Sequence, residues 1–120
     1  MEQFGLFIGT LMQSRNQAHI YHLQTKSYAE HKALQDYYEG VVDHIDGLVE
    51  TFQGRYGILY GYKMGGTIKE DGGTVMYFEA LCKFVESVRT AIPQDSFLQN
   101  QVDEVVALIE STKYKLVNLK

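Results

Sequence analysis

Residues 54–73 read GRYGILYGYKMGGTIKEDGG, and this stretch decides the architecture because of what flanks it. Seven of the eleven glycines fall here, no helical period runs through it, and a connection near twenty residues is unusual inside a compact domain. Both flanks are periodic. Upstream, His31, Leu34, Tyr38, Val41, Ile45, Leu48 and Phe52 recur at strict three-and-four spacing, one face of a helix that Gly54 stops. Its start is signalled by Ser27-Tyr-Ala-Glu30, a capping box in which hydroxyl and carboxylate satisfy each other's free N–H groups. Such a helix is roughly 39 Å long at 1.5 Å per residue, and twenty extended residues reach up to ~66 Å. The glycine-rich segment is therefore long enough to cross from one end of the helices to the other.

Working outward, Phe4, Ile8, Leu11, Arg15, Ala18 and His22 place a first helix from about residue 2 to about 24. Downstream, Val75, Phe78, Leu81, Val85, Val88 and Ile92 mark a third helix that ends before Pro93. Asp95 and Ser96 are N-cap candidates for a fourth, which follows Leu98, Val102, Val105, Ile109, Thr112, Leu116 and Leu119, with Lys113, Lys115 and Lys120 near its negative dipole end. Two short turns and one long connection predict an all-α single domain over 1–120, a four-helix bundle with one crossover rather than an up-down-up-down bundle.

Composition narrows the function classes. Apolar residues at 45% and charged residues at 22% are globular values. Eleven basic against fifteen acidic residues, net charge -4, argue against a phosphate-binding surface, so nucleic acid is not an expected partner. The single cysteine, Cys82, excludes a disulfide framework and is expected to be a core thiol of a reducing compartment. No apolar run approaches a membrane span and Met1-Glu2-Gln3-Phe4 lacks a basic signal region, so the expectation is a soluble cytoplasmic protein.

The chemistry-bearing residues gather on the first two helices. His22 and His31 flank the short turn and should be neighbours; two imidazoles there are half of a metal site or else a hydrogen-bonded structural pair. His19, one turn before His22, could substitute for it, and His44 falls off the stripe, where solvent is its expected surrounding. Asp46 and Glu50 are four apart on one helical edge, able to reach one cation together or to form a solvated acidic face. His31 and Asp46 are fifteen positions apart, roughly 22 Å along the axis, so one chain cannot bring both to one ion. Two antiparallel copies of the second helix could, crossing near residues 38–41, where Gly40 would allow close approach.

The string Tyr21-His22-Leu-Gln-Thr-Lys26, then His31, then Val42-Asp-His-Ile-Asp46 and Glu50, resembles the mini-ferritins known as DNA-binding proteins from starved cells. It is also similar to small ferritin-like proteins of tailed phages. The resemblance is best over about residues 15–54 and holds elsewhere only as helix order. It implies a ferritin-like bundle and an iron (Fe2+/Fe3+) ferroxidase site shared across a twofold dimer, with His22 or His19, His31, Asp46 and Glu50 as ligands. It implies a homo-oligomer, at least a dimer and in the family a dodecamer, in the cytoplasm, or the host's cytoplasm for a phage protein. The chain departs from the family in its shorter turn between the first two helices, in Gln35 where a carboxylate often stands, and in having no Lys-rich N-terminal tail. The alternative reading is a catalytically inactive ferritin-like scaffold, a structural or interaction protein of a phage.

Overall fold

Four amphipathic stripes have to bury themselves on one another, and in the computed structural model, which describes residues 2–119, they do so around one core. The helices are α1 (Glu2–Gln24), α2 (Tyr28–Tyr56), α3 (Thr74–Val88) and α4 (Ser96–Asn118), and there is no strand among the described residues. α2 alone accounts for the long dimension: 29 residues at 1.5 Å each span roughly 43 Å, against a molecular extent of 44 × 24 × 21 Å.

Packing partners fix the helix directions. α1 lies on α2, α2 on α4, α4 on α3 and α3 on α1, while the α1–α4 and α2–α3 backbones face each other only across the diagonals, where the Tyr37 and Phe78 rings meet in the core at 4.9 Å. Phe4 stacks on Phe52 at 4.2 Å and Ser14 meets Tyr37 at 2.7 Å, so α1 and α2 are antiparallel. Thr51 meets Gln101 and Asp36 meets Lys115, making α2 and α4 antiparallel as well. Arg89 near the end of α3 reaches Gln99 and Asp103 near the start of α4. The order is thus up, down, down, up, and the chain must travel the molecule's length between α2 and α3. Residues 57–73, the strap, make that journey alongside α1. Lys63 N–H donates to the Gly5 carbonyl, Gln13 to Gly66, Gln17 to Lys69 and Tyr21 to Gly72, pairing the two segments in the same direction.

Covering α1 on its outer side as well explains its composition. Phe4, Phe7, Ile8, Leu11 and Ala18 are fully buried in the core, and Ser14 and Gln17 are sealed beside them. The Gln17 amide both donates to the Lys69 carbonyl and accepts from the Lys69 N–H, each at 2.7 Å, as a neighbouring strand would. Gly5 and Gly9 lie directly under the strap. A Cβ at Gly9 would stand 2.5 Å from the Lys63 carbonyl carbon and 2.9 Å from its nitrogen.

Several expectations need correction. α2 passes through Gly54 and closes at Gly57, whose φ of +94° is one that glycine adopts freely. α3 ends at Val88 rather than just before Pro93, because proline disfavours a helical Ile92 and the chain tightens, Ala91 N–H donating to the Val88 carbonyl. Ile92 is nonetheless buried. In the second-helix stripe Tyr37 takes the core position and Tyr38 is half-buried. The capping box forms only in part: Ser27 Oγ accepts from Glu30 N–H, but the Glu30 carboxylate takes the Thr25 hydroxyl, and Thr25 Oγ1 accepts from Ser27 N–H. Asp95 stands at the N-cap of α4 without capping it, its carboxylate being held by Arg55 and the Tyr56 hydroxyl.

Candidate functional site

The α1–α2 turn is three residues long, Thr25 to Ser27, and so short a link brings the last turn of α1 against the first turn of α2. His22 and His31 meet there with ring centroids 3.6 Å apart and planes 21° from parallel. Each imidazole is tied to the other's backbone. His22 Nδ1 lies 2.7 Å from the His31 carbonyl, and His31 Nδ1 lies 2.9 Å from the His22 carbonyl. A carbonyl oxygen can only accept, so both Nδ1 atoms carry the hydrogen, and in the neutral rings both Nε2 atoms are left with lone pairs. Fixing the tautomer through Nδ1 on a backbone carbonyl is how metal-binding histidines are commonly oriented. His22 is buried and His31 half-buried.

His19 is not part of this pair. Its ring stacks on Tyr38 at 4.5 Å and stays 5.9 Å from His22, while the Arg15 guanidinium lies 5.5 Å from the Tyr38 centroid. Tyr38 also meets the His22 ring edge-on at 5.2 Å. Of the two first-helix candidates, then, the structure brings His22 to His31 and sets His19 against Tyr38.

Asp46 and Glu50 are exposed, well down α2 from the imidazoles. Fifteen residues leave Asp46 rotated by only about 60° from His31, and Glu50 by about 100°, so the three share one side of the helix at different heights. Within one chain, no three His, Cys, Asp or Glu side chains among the described residues are placed to hold a metal ion. Gly40 does not serve the role expected of it. A Cβ there would meet Leu108 of α4 at 3.8 Å, and it points about half a turn away from His31. At that height the His31 side carries Tyr38 and Val42 instead, the latter 37% exposed. His44 is half-buried, lining a groove between α2 and α4 with Asp43, Gly47, Asn100, Gln101 and Glu104. Cys82 is half-buried at the core's edge, and burial, with Glu110 and Glu86 nearby, pushes its thiol pKa up, so the inert thiol is the dominant form at neutral pH.

A model described as a family of unknown function (DUF5856) matches residues 22–116. The chain belongs to this family. The DUF5856 match opens at His22 and takes in His31, Asp46 and Glu50, while His19 falls outside it. Over 110 residues the chain is 26% identical to an uncharacterised 14.6 kDa protein from the mobD–ri intergenic region of Enterobacteria phage T4, covering 92% of this chain and 84% of that one. No solved structure matches it. No helix among the described residues is long and apolar enough to cross a membrane.

Proposed function

We propose that this DUF5856 protein is a ferritin-like four-helix bundle that binds and oxidises Fe(II) at sites completed by twofold pairing of α2, as the mini-ferritin resemblance implies. The up-down-down-up order and the lengthwise strap support the bundle type with a single crossover. The observation that carries the site is the reciprocal tethering of His22 and His31, which leaves two Nε2 lone pairs side by side near the surface. Iron is the substrate. Two neutral nitrogens from one chain and the Asp46 and Glu50 carboxylates from its mate form a mixed donor set suited to a borderline divalent ion. The carboxylates would offset the ion's positive charge as an electron passes to a peroxide or dioxygen oxidant. Leu23 and Tyr28, 70% and 75% exposed, and Val42 give the same side apolar area for a mate to cover.

The second reading, a scaffold without catalysis, draws on the same pair. Stacked and doubly hydrogen-bonded, His22 and His31 also staple α1 to α2 with no metal at all.

One experiment separates the two. His31→Ala and Asp46→Ala proteins are assayed for anaerobic Fe(II) binding and for Fe(III) formation on adding peroxide, singly and after mixed refolding. Each alone is expected to be inactive. In a mixed dimer one of the two sites regains both wild-type halves, so about a quarter of the parent activity returns overall. Unimpaired single variants, or a protein that stays monomeric at every concentration, would overturn the iron reading and leave the scaffold.

A further inference from the structure

Away from the histidines, the first half of the strap carries apolar side chains in a row. Residues 58–64 read Ile-Leu-Tyr-Gly-Tyr-Lys-Met. Leu59 is buried against the bundle, while Ile58, Tyr60, Tyr62 and Met64 stand 64%, 80%, 41% and 52% exposed. The backbone beneath them is pinned, Leu59 N–H donating to Gln53 Oε1 and Lys63 N–H to the Gly5 carbonyl. Four large side chains are thus held outward on a fixed ribbon. Single exposed apolar residues are ordinary, but a contiguous row of this size marks a contact surface.

We propose that this row is a contact through which two copies of the chain associate, their straps lying antiparallel about Gly61. The stretch is a chemical palindrome: Tyr60 and Tyr62 flank Gly61, and Ile58 and Met64 stand three positions to either side of it. In a twofold contact such a stretch meets its own reverse, so Tyr60 of each copy faces Tyr62 of the other and Ile58 faces Met64. At the axis Gly61, with φ of +84° and open space where a Cβ would be, lets the two ribbons come close. The area is sufficient. At roughly 200 Å² for a fully exposed side chain of this size, the four offer about 500 Å² per chain and two copies about 1,000 Å², where specific interfaces begin. Association at that size is expected to be weak, with a dissociation constant of about 10–100 μM.

Charge favours a like copy over a polyanion. Lys63 is the one charged residue from Ile58 to Ile68, too little to hold nucleic acid. Across the antiparallel pair the two copies of Lys63 are four positions apart, roughly 13 Å at ~3.3 Å per residue, beyond the ~8 Å screening length of physiological salt. This contact is separate from the pairing of α2 that the iron reading needs. Gly61 lies over Gly5, whereas Tyr37, beside the expected α2 crossing, is level with Ser14. Those levels differ by roughly 13 Å along α1, so one axis across the bundle cannot serve both.

The test is sedimentation equilibrium of the full chain at up to about 1 mM, together with directed cross-linking. Every protein carries Val42→Glu, which sets a charge against pairing through α2 and keeps the two contacts apart. Ile58→Ser/Tyr60→Ser, at two exposed positions, is expected to leave the urea midpoint unchanged and to weaken association at least about tenfold. With Cys82→Ala as background, Tyr60→Cys mixed with Tyr62→Cys should form a mixed disulfide at least about tenfold faster than either forms its own, because the antiparallel register places 60 opposite 62. The proposal is overturned if the Val42→Glu protein stays monomeric at about 1 mM, which would leave the row to a different protein. It is overturned equally if the serine pair leaves association unchanged, or if like disulfides form as fast as the mixed one. None of these results bears on iron binding, which His31→Ala and Asp46→Ala test.

Discussion

Replacing Gly9 by alanine tests whether the strap rests on α1 where the structure places it. In the interior of a helix that change ordinarily stabilises by about 1 kcal/mol, because glycine is the more flexible residue in the unfolded chain. Here the opposite sign is expected. The new methyl carbon would arrive 2.5 Å from the carbonyl carbon of Lys63 and 2.9 Å from its nitrogen, and backbone cannot rotate aside as a side chain can. Overpacking of this kind costs up to about 3 kcal/mol. Lifting the strap also strains the bond from Lys63 N–H to the Gly5 carbonyl, at about 1 kcal/mol. Set against the propensity gain of about 1 kcal/mol, the net loss is up to about 3 kcal/mol. Gly54 provides the internal comparison: it lies in the last turn of α2 with nothing within 4 Å of a Cβ, so Gly54→Ala should stabilise by up to ~1 kcal/mol. Urea unfolding at equilibrium reads both values, and trypsin cleavage after Lys63 or Lys69 reports release of the strap. If Gly9→Ala proves as stabilising as Gly54→Ala, with no faster cleavage, the strap does not pack on α1 at this point.

Two further outcomes follow from the same packing. Gln17→Ala removes both bonds to Lys69 and opens space at a residue only 1% exposed; a loss of about 2–3 kcal/mol is expected, with faster hydrogen exchange at the Lys69 amide. Burial, with a smaller contribution from Tyr77, pushes the Tyr37 hydroxyl far above the ordinary tyrosine range. The folded state therefore holds this proton more tightly than the unfolded chain, so its stabilising effect is complete below pH ~10 and fades as pH rises further. Tyr37→Phe should flatten the alkaline decline of stability by up to about 1.4 kcal/mol per pH unit, read from urea midpoints on either side of pH ~10. An unchanged slope would mean that Tyr37 is open to solvent.

The parts of this fold that could be read from the chain are those written in apolar periodicity. The runs through Leu34, Val41, Ile45, Leu48 and Phe52, and through Leu98, Val102, Val105 and Ile109, bury where their spacing says they should. The strap's path was not legible, because polar side chains secure it: Gln13, Gln17 and Tyr21 look like surface residues until their partners 51 to 53 positions away are known. Gly5 and Gly9 give the one available hint, two small residues a helical turn apart in a helix with little other reason to contain them. At the site, a short turn made the meeting of His22 with His31 legible. The rank of His19 was not, since it depends on how Tyr38 packs. The helix boundaries at Tyr56 and Val88 slipped because local turn chemistry, not the stripe, sets them.

The clamp at Gln17 joins parts of the chain made at very different times. Its partner Lys69 leaves the ribosome 52 residues later, an interval of roughly 3–10 s at cellular rates of synthesis. Throughout that wait the nascent α1 carries one flank meant for peptide backbone, with Gly5, Gly9 and the Gln17 amide uncovered. Such a flank is open to strand-like capture by any extended polypeptide nearby, so the N-terminal helix is the place where a chaperone would shield this protein during translation, and where misassembly between neighbouring nascent chains would begin.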